Sequence, residues 1–187
     1  MVNQFGLYPM EQCTEYLRKQ RNNMENMDKI EKNTQKILEK LISEETLAVE
    51  FYKSCVHAIK YEQSCSISEK FLEIAQDEDT DHLDKLLKFA KQNDFNIPFK
   101  RKDIEKKASK KMVSLLDKLK AKEDASYYIE QAIISEMDAI KSYQDAMSQE
   151  YMFDLQPILL NNYYDEIKHL EDLQLLLQCV NVGVTLI

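Results

Sequence analysis

One set of chemistry-bearing residues occurs twice in this chain, in the same order in each half. Glu45, Ala48 and Tyr52 recur at the same spacing as Glu136, Ala139 and Tyr143. Asp79, His82 and Leu86 are answered by Glu166, His169 and Leu173. The order is a carboxylate segment, then a carboxylate-x-x-His segment, then both again. A chain built this way has to bring its two halves together around whatever these groups bind.

The segments that carry the pattern are helical. The sequence has only two glycines and three prolines in 187 residues. That scarcity excludes Gly-rich phosphate loops, the dinucleotide fingerprint and hairpin-rich sheets. Glu, Lys, Leu, Ile, Ala, Gln and Met dominate, and these are helix formers. The expected fold is all-α. Helix A is predicted over about 28–61, helix B over 66–91, helix C over 124–149 and helix D to about Cys179, with Pro157 suited to its first turn. Residues 1–9 read as an irregular lead. Residues 10–27 read as a polar helix, separate from helix A or an extension of it, and 103–121 as a short helix or the front of helix C. The expected organisation is an N-terminal extension over 1–27, a four-helix bundle over 28–180 and an apolar tail over 181–187. The A–B and C–D connections are short, which makes each pair an antiparallel hairpin. The B–C connection is long, broken near Asn93–Pro98, and lets the chain cross the length of the bundle.

Steps of three and four residues place the pattern on inward-facing stripes. Helix A gives Leu38, Leu41, Glu45, Ala48, Tyr52 and Cys55; helix B gives Leu72, Ala75, Asp79, His82, Leu86 and Phe89. Helix C gives Ile129, Ala132, Glu136, Ala139, Tyr143 and Ala146; helix D gives Leu159, Asn162, Glu166, His169, Leu173 and Leu176. The four carboxylates and two imidazoles fall at matching heights. No Lys or Arg shares these stripes. Buried carboxylates cost several kcal/mol each unless neutralised, and two divalent cations supply the four positive charges required. The expected site is therefore dinuclear, with Glu45, Asp79, His82, Glu136, Glu166 and His169 as metal ligands and Glu78 as an alternative to Asp79 after a small helix rotation. Tyr52 and Tyr143 lie two turns beyond a ligand Glu. They read equally as catalytic tyrosines or as amphipathic core residues. The methionines read as gap-filling.

These residues resemble the ferritin-like di-iron carboxylate superfamily of ferritins, bacterioferritins, rubrerythrins and mini-ferritins, over about residues 28–180. The resemblance implies that Glu45 and His82 bind one metal, Glu136 and His169 the other, and that Asp79 and Glu166 bridge. It implies a di-iron ferroxidase that oxidises Fe2+ with O2 or H2O2 for iron storage or detoxification, assembled as a homo-oligomer. The alternative is a rubrerythrin-like peroxidase or another di-iron or di-manganese oxidoreductase with a separate substrate. Thr80 stands where bacterioferritins carry a haem-ligating Met, so no haem is expected. Ala139 stands where rubrerythrins carry a second helix-C Glu.

The remaining features bound the partners. The formal net charge of −8 argues against general DNA binding. Lys100 to Lys122 nevertheless holds ten basic and three acidic residues, and reads as a solvated connection or a docking patch. Cys13, Cys55, Cys65 and Cys179 show no C-x-x-C spacing. Free thiols in a reducing cytoplasm are expected, although a Cys55–Cys65 bridge is geometrically conceivable. No apolar run reaches membrane-spanning length.

Overall fold

The computed structural model describes residues 10–59, 65–97 and 125–182, all of it helix and turn with no strand among the described residues. The irregular lead, Pro98, the basic segment Lys100–Lys122, the 103–121 helix and residues 183–187 lie outside them.

α1 runs unbroken from Met10 to Ala58, so residues 10–27 extend helix A rather than form a separate helix. Its 49 residues span about 73 Å. Residues 24–32 are exposed, and burial begins at Thr34. The second long helix has three parts: α2 (Cys65–Asp77), a π-helical turn (Glu78–Leu83) and α3 (Asp84–Gln92). Its end precedes Pro98. Asp94 takes a left-handed conformation (φ 54°), and the Phe95 amide donates to the Ala90 carbonyl at 3.0 Å. That is a Schellman-type stop, and Phe95 stacks on Phe89 across it. Gln35 Nε2 donates to the Asn96 carbonyl at 2.7 Å and pins the exit to α1. α4 spans Ala125–Met147, a 3-10 turn covers Glu150–Leu155, and α5 spans Gln156–Asn181 with Pro157 in its first turn.

The core consists of two apolar clusters. One joins Phe51, Tyr52 and Cys55 of α1 to Ile67, Phe71 and Ile74 of α2, Ile129 and Ala132 of α4, and Leu173 and Leu176 of α5. The other joins Leu38, Leu41 and Ile42 of α1 to Leu83 and Leu86, Tyr143 and Ala146, and Leu155 and Leu159. These memberships fix the directions. α1 and α5 run one way, and α2–α3 and α4 the other. α3 therefore ends at one end of the bundle and α4 begins at the opposite end, the arrangement that the expected single long crossover requires. Both hairpins are antiparallel.

The stripes of α1, α4 and α5 are as expected, with Ala48 and Ala139 only part-buried. The helix-B stripe is not. Leu72 is half exposed, and the inward residues of α2 are Ile67, Phe71, Ile74 and Ala75. Beyond the π-turn the inward residues are His82, Leu83, Leu86 and Ala90. Phe71 and Ala90 are nineteen residues apart, about 100° past five turns of a regular α-helix. A π-turn absorbs one extra residue, and with it both ends of the helix keep the same face to the core. An uninterrupted α period, followed back from His82, keeps Ala75 but selects Asp79 and Leu72 where Glu78 and Phe71 are the buried residues.

Candidate metal centre

A layer of polar side chains separates the two apolar clusters. Glu45, Glu78, Glu136, Glu166, His82 and His169 are each at most 3% exposed and converge there. They form two overlapping groups whose ligand atoms lie within 4.8 Å of one another: Glu45, Glu78, His82 and Glu166 in one, and Glu78, Glu136, Glu166 and His169 in the other. Glu78 and Glu166 belong to both.

Individual oxygens show why. His82 Nδ1 lies 2.9 Å from Glu78 Oε2, 3.1 Å from Glu166 Oε1 and 3.5 Å from Glu45 Oε2. His169 Nδ1 lies 3.5 Å from Glu78 Oε1, 3.6 Å from Glu136 Oε2 and 3.9 Å from Glu166 Oε2. Glu78 and Glu166 thus each turn one oxygen toward each imidazole, the geometry of bridging carboxylates. Glu45 and Glu136 each serve one side.

Asp79, expected in the bridging position, is not among these residues. Its carboxylate faces Lys53 at 3.5 Å, and it is part-exposed. Glu78 takes its place because the π-turn brings an i,i+4 carboxylate–His pair onto one face; α5 does this with the i,i+3 pair Glu166 and His169. The sequence carries a signal for this. Aligning the halves on their Asp-Glu pairs, Asp77-Glu78 and Asp165-Glu166, leaves one inserted residue before His82.

Those aspartates have a role of their own. Asp77 Oδ2 lies 3.4 Å from His169 Nε2, and Asp165 Oδ2 lies 3.6 Å from His82 Nε2. Each hairpin thus places a carboxylate behind the imidazole of the other. A hydrogen-bonded partner of this kind fixes ring orientation and tautomer and raises the basicity of a ligating His; Asp77 is within hydrogen-bond reach of His169, whereas His82 Nε2 has no hydrogen-bond partner and Asp165 is only its nearby charge. The single-residue stripes omitted both.

The tyrosines cross between helices. Tyr52 of α1 donates its hydroxyl to Glu136 Oε1 of α4, and Tyr143 of α4 donates to Glu45 Oε1 of α1. The surroundings of the two differ. Tyr143 also accepts from Asn162 Nδ2 at 3.0 Å, whereas Tyr52 packs edge-on against Phe51 and Phe71.

The electrostatics show what the layer lacks. Burial, then the Glu78 charge, holds the Glu45 carboxyl well above its ordinary range. Burial likewise raises Glu136, against the attraction of the nearby His169 ring. Burial also acts on Glu78 and Glu166, but their polar neighbours, the imidazoles among them, outweigh it and hold both low. Burial disfavours the imidazolium of His169, yet the surrounding Glu136, Glu166 and Glu78 carboxylates push it up to about 12; His82 is raised in the same way by Glu166, Glu45 and Glu78. Glu136 Oε2, both oxygens of Glu166 and His169 Nδ1 remain buried without a hydrogen-bond partner. Oxygen-rich ligation with one imidazole per site suits iron or manganese. The donor set fits a pair of divalent cations.

Fold and site together define a ferritin-like carboxylate-bridged bundle protein. The family model for Rubrerythrin matches residues 36–177, and the chain belongs to that family, which implies a di-iron site. Neither the comparison with curated proteins nor that with solved structures gives a match. No helix among the described residues is long and apolar enough to cross a membrane. Cys55 and Cys179 are free thiols, and burial pushes Cys55 up to about 12, so it is unreactive.

Proposed function

We propose that this protein is a di-iron oxidoreductase of the ferroxidase type, oxidising Fe2+ with O2 or H2O2 in iron storage or detoxification. The observation that carries this reading is the pair of four-ligand groups sharing Glu78 and Glu166. Glu45 and His82 would hold one iron, Glu136 and His169 the other, and Glu78 and Glu166 would bridge. Two ferrous ions so held supply two electrons to one oxidant. The chain's contribution is to fix the pair, to balance four carboxylates against it and to keep bulk water from the imidazole side. Tyr52 and Tyr143 hold Glu136 and Glu45 from opposite helices, so each hydroxyl proton lies one hydrogen bond from a ligand. The same ligands accommodate manganese. A homo-oligomer in the cytoplasm is part of the proposal.

A second reading, oxidation of a separate substrate, is favoured by a cavity of about 580 Å³ between α1 and α4. Glu45, Glu78, Glu136 and Glu166 line its floor, and Ala139, the site of the second helix-C Glu in rubrerythrins, lines its wall. Aerobic Fe2+ titration followed by absorbance tests the first reading. Oxidation saturating at two Fe2+ per chain is expected, and Glu136→Ala should abolish it with the helical circular-dichroism signal retained. Wild-type oxidation in that variant would refute the assignment.

A further inference from the structure

The cavity between α1 and α4 is far larger than an oxidant needs. Water takes about 30 Å³ per molecule in the liquid, and H2O2 occupies less than two waters. A space of about 580 Å³ falls in the range of pockets that bind small organic molecules. Its walls are also wrong for a path carrying only hydrated metal ions. Leu41, Leu47, Ala48, Phe51, Ile134 and Ala139 line it, and a metal ion gains nothing from them. Apolar walls above a floor of ligand carboxylates suit a compact hydrophobic body held against the centre.

The rim supplies the second recognition element. Glu44 of α1 and Asp138 of α4 line the cavity near the surface, with Gln131, Ser135 and Ser142 along the same face of α4 as Asp138. Glu44 Oε2 is buried without a hydrogen-bond partner. An acceptor in that position lacks a donor. Lys40 reaches the outer edge of the rim, 3.7 Å from Glu44 Oε1 and 3.2 Å from Ser142 Oγ. It shows that an ammonium is accommodated there. It is also half exposed, so its pairing is weak and readily displaced.

From the apolar walls, the excess volume and the two acidic residues at the rim, one with a buried unpartnered oxygen, we infer that this cavity binds a small organic cation. The ligand would be an amine on a compact apolar body, with its ammonium at Glu44 and Asp138 and its body directed at the metal centre. This rests on the reading of the polar layer as a dinuclear centre, and it names the class of molecule that the second reading requires.

The test uses the full chain loaded with metal, with metal content and binding measured separately. Isothermal titration with benzylammonium, benzyl alcohol and benzoate distinguishes charge from shape. Benzylammonium should bind one per chain, benzyl alcohol more weakly and benzoate not at all. Glu44→Gln combined with Asp138→Asn should weaken benzylammonium about tenfold or more, the loss expected for charge-assisted hydrogen bonds. Ala139→Phe should fill the cavity and remove binding of all three. Both variants should still load two metals per chain. If no probe binds the loaded protein, or the three bind equally, or Ala139→Phe leaves binding unchanged, the inference is overturned and the metal centre stands. A wild-type chain that does not load two metals overturns both.

Discussion

α5 and the α2–α3 helix present the same chemistry through different backbones. On α5 the run Asp165, Glu166 and His169 sits in a regular helix, with the ligands one turn apart. On its counterpart the run Asp77, Glu78 and His82 is one residue longer, and a π-turn over Glu78–Leu83 absorbs the addition. The ends of the two runs match in position: a carboxylate near the opposite imidazole, a carboxylate with one oxygen toward each imidazole, a buried His, and a buried Leu four residues on. An insertion inside a helix need not shift a site if the backbone takes it up locally, between ligands that packing holds on either side. π-turns occur often at functional positions, and this one has a stated use.

The largest expected effect separates Glu78 from its neighbour. Glu78→Ala should lose both metals, because one oxygen serves each side, whereas Asp79→Ala should keep two per chain; metal analysis after dialysis decides. If Asp79→Ala empties the site and Glu78→Ala does not, the π-turn geometry is wrong.

Proton release comes next. In the metal-free centre the shifts favour charged imidazoles and neutral Glu45 and Glu136. Two divalent ions should therefore displace about four protons, two from each kind of group. Titration calorimetry near pH 7 in buffers of different ionisation enthalpy measures this number, and affinity should rise with pH. The same shifts set metal-free stability. Groups raised in the folded state stabilise it below their ordinary values of 4.5 and 6.5, and that contribution is lost as pH climbs toward the folded values, about 12 for His169. Glu78 and Glu166, held low, oppose this only below about 4.5. The Tm of the metal-free protein should fall from pH 6.5 upward, and that of the loaded protein should not.

A moderate effect should treat the two helices alike. Asp77→Asn and Asp165→Asn should each weaken metal binding by about 10- to 100-fold, the usual cost of losing the partner of a ligating His. A strong effect from only one would show that the imidazoles are not equivalently supported.

The smallest effect tests the insertion itself. Deleting Thr80 should turn the π-turn into α-helix, bring the run to the spacing of α5, and leave two metals per chain. Had the helix been regular throughout, that deletion would rotate His82, Leu86 and Ala90 about 100° off the core and unfold it. Circular dichroism and metal content together separate these outcomes.

Much of this was legible in the sequence. Helix-forming composition, four apolar stripes and one long connection led to an all-α bundle with a crossover, and the memberships of the two core clusters agree. Glu45, Glu136, Glu166, His82 and His169 stand together as their spacing suggested. Asp79 does not, since period counting assumes that every residue advances by the same angle. Leu72 was misplaced by the same assumption. The Asp–His and Tyr–Glu pairings run between helices, and no periodicity within one helix reports which residue faces another.

The sequence by itself determined the inventory: a helical chain carrying two matched sets of buried carboxylate and imidazole, with charges that balance when two divalent cations bind. That much follows from composition and local geometry. Only the tertiary structure decided that Glu78 rather than Asp79 joins the buried polar layer, that Asp77 reaches His169 from the other hairpin, and that one face of the layer opens on a cavity. The choice between α and π at residues 78–83 is a small local backbone difference. It is settled by the burial of Phe71 and Ile74 before the turn and Leu86 and Ala90 after it, against helices distant in sequence.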